Sequence, residues 1–204
     1  MRRMLAVLNL WALLLPVAAS ASGIGITNKF GTVSVTNAGI VSRGAELIGF
    51  NGITAPPGHD LGSVSFSTGA LSSGSIFGGG TFSSTGSSLI VIGVGKYGQP
   101  RGTIFNATFV GPIHWNLVSH TGRYDYVFEL GGRVSGEMYT GRFISGITRQ
   151  TISLNQNQWL QNQRGGLDVG TTSFMVSPEP GTLGLVVIGL IALVVSMQRK
   201  LFRS

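Results

Sequence analysis

Histidine and carboxylate side chains in the middle of the chain are the groups best suited to acid–base or metal chemistry. Asp125 and Glu129 lie four residues apart, about 13 Å along an extended strand, which is too far for the carboxyl pair of a glycoside hydrolase. His114 and His120 share one face of a straight strand but lie about 20 Å apart, so only a bent strand lets them bind one metal ion.

His59 and Asp60 form another candidate pair, directly after a Pro-Pro-Gly sequence that is typical of a loop. No third metal ligand lies near them in the sequence. A small hydrolase remains an alternative if folding brings His59, Asp60 and Asp125 within about 8 Å of one another. The shortage of such groups otherwise favours a protein that is not an enzyme, with no catalytic residues, no metal ion and no cofactor.

The segment from Gly93 to Gly98 has the spacing Gly-x-Gly-x-x-Gly, which opens a helix in dinucleotide-binding proteins. Here Gln99, Pro100 and Gly102 follow it, where that fold requires a helix. We therefore interpret the segment as a hairpin loop.

Three aromatic residues, Trp115, Tyr97 and Trp159, are candidates for a glycan-contacting platform. Exposed aromatic rings can stack on the apolar faces of sugars, whereas aromatic rings on alternating strands more often belong to the core. The sequence leaves both interpretations open.

Positive charge is concentrated at the two ends of the chain. The formal net charge is +7, but between Ser22 and Ser177 nine Lys and Arg residues stand against six Asp and Glu residues. These nine occur singly and without interleaved aromatic residues, which argues against nucleic-acid binding. The chain has no cysteine, which excludes disulfides, thiol catalysis and cysteine-bound metal.

The N-terminus has the parts of a secretory signal peptide. Two arginines precede an apolar run, and small residues follow that run. Ala19 and Ala21 occupy the small-x-small positions that signal peptidase accepts, which predicts cleavage before Ser22. We therefore expect residues 1–21 to be a signal peptide and the rest of the chain to be exported.

The C-terminus has the three parts of a second sorting signal, in order. The first part is a short acidic segment, Pro178, Glu179, Pro180 and Gly181. Its two proline rings restrict the backbone and keep the segment extended. Residues 182–197 carry no charge and predict a transmembrane helix about 24 Å long. The basic residues after it should stay in the cytoplasm and fix the topology. They are Arg199, Lys200 and Arg203.

Together, the Pro-Glu-Pro segment, the apolar helix and the basic tail resemble the PEP-CTERM sorting signal of Gram-negative bacteria. The resemblance covers residues 178–204. It implies recognition by an exosortase, a membrane cysteine transpeptidase, with removal of the helix near the Pro-Glu-Pro segment. It also implies an association with exopolysaccharide and biofilm formation. Leu201 and Phe202 interrupt the basic tail, where family tails are often a plain arginine cluster, and a permanent single-pass anchor is the alternative.

Residues 22–177 have the pattern of one all-β domain. Turn residues recur every eight to twelve positions, which is typical of a sandwich or a barrel. Apolar and polar residues alternate around Val33 and Val35, which predicts that both valines are buried on one face of a strand. The pair Asn51-Gly52 predicts a two-residue hairpin turn. The continuous apolar run at residues 88–94 predicts a buried central strand. We expect an antiparallel β-sandwich of about eight to eleven short strands.

The leading functional prediction is an exported, non-enzymatic protein with a structural role in the cell envelope or biofilm matrix. Its partners would be signal peptidase, an exosortase and the inner membrane, with the body in the periplasm before it reaches the cell surface or the medium. The alternative is a carbohydrate-binding module or adhesin that recognises exopolysaccharide.

Overall fold

The computed structural model describes residues 23–121, 125–155, 159 and 161–175. These residues belong to one compact unit, Gly23–Val176. Nearly all of them lie in β-strands, so the prediction of an all-β body is confirmed. Within the described ranges, no helical segment has the length and apolar character that a membrane crossing requires.

The described residues form twelve strands that are joined in one sheet. They are β1 (Gly23–Lys29), β2 (Thr32–Thr36), β3 (Gly39–Phe50), β4 (Ile53–Thr54), β5 (Gly62–Ser67), β6 (Leu71–Ser75), β7 (Gly79–Phe82), β8 (Ser88–Val94), β9 (Arg101–Thr121), β10 (Asp125–Met138), β11 (Phe143–Asn155) and β12 (Arg164–Met175).

The sheet closes into a barrel of eight antiparallel strands. In hydrogen-bonding order these strands are β10, β11, β12, β1, β3, β5, β8 and β9, and β9 pairs again with β10. The predicted sandwich is not confirmed, because a sheet whose first and last strands pair forms one closed layer. Both architectures have short antiparallel strands with frequent turns, so strand spacing does not distinguish them.

Strands β1 and β2 occupy the same position in the barrel, between β12 and β3. The bend between them lies at Phe30 and Gly31, whose φ angles are 59° and 93°. A Cβ atom on Gly31 would lie 2.7 Å from the main-chain nitrogen of Ala45, so only glycine fits this approach of β1–β2 to β3.

The ends of the described body lie side by side. Gly23, the first residue of β1, is paired with Met175, the last residue of β12. From there the two strands run alongside each other, and the far end of β12 pairs with β2.

Alternating side chains fill the interior of the barrel, as the small diameter of an eight-stranded barrel requires. Val33 and Val35 are fully buried, as are Phe128 and Leu130 on β10. The prediction for residues 88–94 is wrong in one respect. Strand β8 is central, but Ile92 is 43% exposed, because alternate residues of a barrel strand face outward.

A polar cluster also lies inside the barrel, where β1, β11 and β12 meet. Nδ2 of Asn28 donates to Oε1 of Gln150 at 3.0 Å, and Nε2 of Gln150 donates to Oγ1 of Thr148 at 2.9 Å. Oγ1 of Thr172 donates to Oγ1 of Thr148 at 3.0 Å. All four side chains are buried, and their mutual hydrogen bonds offset much of the cost of burial, while Oδ1 of Asn28 has no hydrogen-bond partner among the described residues.

Two turn predictions are confirmed. Asn51 and Gly52, with φ angles of 47° and 84°, join β3 to β4 as a two-residue turn across which Phe50 pairs with Ile53. The glycine-rich segment after Gly93 leads from β8 to β9 through a loop, not into a helix.

Candidate functional site

The two tryptophans of the predicted glycan platform lie in the core. Trp115 and Trp159 are 0% exposed. Trp115 stacks on Phe128, with ring centroids 4.3 Å apart and an interplanar angle of 3°, and its Nε1 donates to the main-chain oxygen of Ile76 at 2.9 Å. Trp159 contacts the ring of Phe128 at 6.1 Å and that of Phe77 at 5.4 Å.

Tyr97 is separate from these tryptophans. It is exposed, it lies in the loop between β8 and β9, and its ring meets His59 edge-on with centroids 6.5 Å apart. The predicted platform of Trp115, Tyr97 and Trp159 is therefore wrong. Trp115 occupies an inward position of β9, and Trp159 packs against Phe128 of β10, so neither ring can stack on a sugar from solvent.

A bulge in β9 also changes the expected arrangement of its two histidines. Val127 pairs with Ser119 and Phe128 with Leu117, so Val118 is left over in β9. This extra residue reverses the alternation. His114 points outward, whereas His120 lies on the side of Tyr126 and stacks on its ring at 4.2 Å. The two histidines therefore do not share a face.

The remaining candidates for acid–base chemistry are also dispersed. His59 and Asp60 are exposed in the loop between β4 and β5, and Glu129 is half-buried in β10. The backbone of Asp125 begins β10, while its side chain lies outside the described set. In the part of the chain that the structure describes, no group of three His, Cys, Asp or Glu residues could hold a metal ion.

A half-open groove of about 460 Å³ lies over β2. We call it the β2 groove. Its lining residues are Thr32, Val33, Ser34, Val41, Arg43 and Arg164. The side chain of Val33 enters the core, so Thr32 and Ser34, the residues that alternate with it, face outward into the groove.

The two arginines flank β2 from opposite sides. Thr32 is paired with Arg43 on β3, and Ser34 is paired with Arg164 on β12. Both arginines are exposed. Because residues directly opposite in an antiparallel pair have Cβ atoms about 5 Å apart, each guanidinium side chain starts beside one hydroxyl.

Neither arginine was singled out by the sequence, since Arg43 and Arg164 are far apart along the chain and carry no motif. One available signal was Gly44, because a glycine inside a strand pattern often marks a bulge that redirects its neighbours. Their approach depends on β2 pairing with both β3 and β12, which is a property of the closed barrel.

The residues of the two predicted terminal signals lie outside the described residues. They are Ala19, Ala21 and Ser22 of the signal peptide, Pro178, Glu179, Pro180 and Gly181 of the sorting motif, residues 182–197 of the predicted transmembrane helix, and Arg199, Lys200 and Arg203 of the basic tail.

No family model, no curated protein and no solved structure matches this chain. Its function must therefore be argued from its own residues, since a barrel architecture is compatible with many unrelated functions.

Proposed function

We propose that this protein is an exported, non-enzymatic component of the bacterial envelope or biofilm matrix, delivered by a signal peptide and an exosortase sorting signal. The observation that carries the proposal is the order of parts from residue 178 to the end. Pro178, Glu179 and Pro180 precede an uncharged stretch of helical length, and the basic tail follows it.

A structural role is consistent with the chemistry of the body. The histidines and carboxylates that could act as acids or bases are dispersed among the described residues, as at His59, His114 and Glu129. Large apolar side chains such as Phe128 and Trp115 fill the interior of the barrel. A closed sheet also leaves few strand edges free to pair with other chains, an advantage for a domain that persists outside the cell.

The intact mass of the protein recovered from its native envelope tests this delivery route. We expect a species that starts at Ser22 and ends near the Pro-Glu-Pro segment. Replacing Pro178 and Pro180 with alanine should leave residues 183–204 attached, whereas the same substitutions at Pro56 and Pro57 should not. Mature protein that retains residues 183–204 without any substitution would contradict exosortase processing.

A carbohydrate-binding role remains the second candidate, now without its aromatic platform. The β2 groove is the observation that favours it, because its volume is within the range of small-ligand sites. A glycan array probed with the full chain in detergent tests this role. Binding to exopolysaccharide that survives substitution of both Arg43 and Arg164 would place the contact elsewhere.

A further inference from the structure

We propose that the β2 groove binds an anionic ligand with two oxyanion groups, one held by Arg43 with Thr32 and the other by Arg164 with Ser34. The ligand class is a compound or chain segment that carries two carboxylate, sulfate or phosphate groups. This binding activity stands independently of how the protein is exported and sorted.

Repetition within the groove supports two anion contacts. Each half contains one guanidinium and one hydroxyl on directly paired residues, with Arg43 opposite Thr32 and Arg164 opposite Ser34. Guanidinium groups bind carboxylate, sulfate and phosphate oxygens in a bidentate manner, and a neighbouring hydroxyl can donate one more hydrogen bond.

The spacing of the two halves accommodates two anionic groups. Arg43 and Arg164 are separated by two strand spacings across the sheet and by two residues along it. With ordinary strand geometry their Cα atoms lie about 12 Å apart. That distance leaves room for two successive charged groups, each bound by its own guanidinium group.

The charges of the groove have no protein counterpart among the described residues. Neither guanidinium has a hydrogen-bond or ion-pair partner there, and the hydroxyls of Thr32 and Ser34 make no hydrogen bond within the same set. On β12 the carboxylate of Asp168 is engaged elsewhere, because its Oδ2 accepts a hydrogen bond from Oγ of Ser153. Two unpaired cations in one groove produce a positive potential that attracts anions.

Backbone geometry positions both arginines before any ligand arrives. Arg43 and Gly44 form a bulge in β3, where the register with β5 shifts and Gly44 has a φ of 70°. Arg164 follows Gln163, whose φ is 52°. The main-chain nitrogen of Gln163 donates to the oxygen of Trp159 at 3.0 Å, and its oxygen accepts from Val35 at 2.9 Å. The start of β12 is therefore held by buried neighbours.

Isothermal titration calorimetry on the full chain in detergent tests the proposal. The probes are an oligogalacturonide, a sulfated heparin tetrasaccharide, tripolyphosphate, inorganic sulfate and neutral maltotetraose. We expect at least one of the three multivalent anions to bind about tenfold more tightly than inorganic sulfate, and the binding to weaken as salt is added. The tightest binder identifies the oxyanion.

Substitutions then assign the contacts. Arg43→Gln and Arg164→Gln should each weaken binding roughly tenfold or more, and Thr32→Val or Ser34→Ala roughly threefold. The matched control is Arg142→Gln, which removes the same charge from an exposed position in the turn between β10 and β11. Circular dichroism of each variant checks that the surface substitutions preserve the fold.

Four results would overturn the proposal. They are an absence of binding by all three multivalent anions, equal affinity for inorganic sulfate, equal affinity for maltotetraose, and a loss in Arg142→Gln as large as in the groove variants. Preserved affinity in a folded Arg43→Gln/Arg164→Gln double variant would also exclude this groove as the site.

Discussion

Around Trp115 the interior of the barrel is apolar, whereas around Gln150 it contains a chain of hydrogen bonds. The rings of Trp115 and Phe128 stack directly. Gln150 instead accepts from Asn28 and donates to Thr148. Apolar packing is non-directional and tolerates small shifts, whereas a buried amide is costly unless each partner is in place. We infer that the aromatic region supplies more stability and the polar region fixes the register of β1, β11 and β12.

The largest effect should come from the aromatic region. Trp115→Ala removes a fully buried ring, its stack on Phe128 and the donor to the Ile76 oxygen. We expect the free energy of unfolding to fall by about 3–5 kcal/mol, measured by urea denaturation of the full chain in detergent. Replacing the exposed Tyr97 with alanine is the control, and an equal loss there would refute the core role of Trp115.

A smaller loss of folding stability is expected when one side chain of the polar cluster is removed. Gln150→Ala leaves Nδ2 of Asn28 without its acceptor and should reduce the free energy of unfolding by about 2–3 kcal/mol. Gln161→Ala, at an exposed position, should change it by less than about 0.5 kcal/mol.

A double-mutant cycle sharpens this result. If Asn28 and Gln150 act through their mutual hydrogen bond, the double alanine variant should lose less than the sum of the two single variants. Strict additivity would mean that the two side chains contribute independently.

The smallest effect should come from Gly170, which borders the polar cluster. A Cβ atom there would lie 1.8 Å from Oε1 of Gln150 and 2.5 Å from Oδ1 of Asn28. Gly170→Ala should therefore cost about 1–2 kcal/mol, because Gln150 must move from its hydrogen bonds. Gly166→Ala in the same strand meets nothing within 4 Å and should be neutral or slightly stabilising.

The Gly170 substitution can also separate steric conflict from a backbone effect. In the Asn28→Ala/Gln150→Ala double variant both conflicting side chains are absent, so most of the cost of Gly170→Ala should disappear. An unchanged cost in that background would attribute the effect to the backbone of β12 and would weaken the comparison between the two regions.

Local patterns in the sequence correctly predicted those features of the fold that depend only on residues adjacent in the chain. The burial of Val33 and Val35 follows from alternation, and the turn at Asn51 and Gly52 follows from their tolerance of positive φ. These features require only a few consecutive residues, so one sequence is enough to predict them.

Features that depend on strand order could not be predicted in the same way. Closure between β9 and β10 turned an expected sandwich into a barrel. The bulge at Val118 moved His120 away from the face of His114, and the approach of Arg43 to Arg164 required β2 to lie between two strands distant in sequence. Alternation has the same period in every strand, so it carries no information about which strands become neighbours.

The pairing of Gly23 with Met175 also distinguishes one end of the barrel from the other. Both ends of the described body therefore lie at the same end of the barrel. Arg164 lies eleven residues before Met175 on β12, which is about 35 Å along the strand. The β2 groove and the two ends of the described body are therefore separated by nearly the whole length of β12.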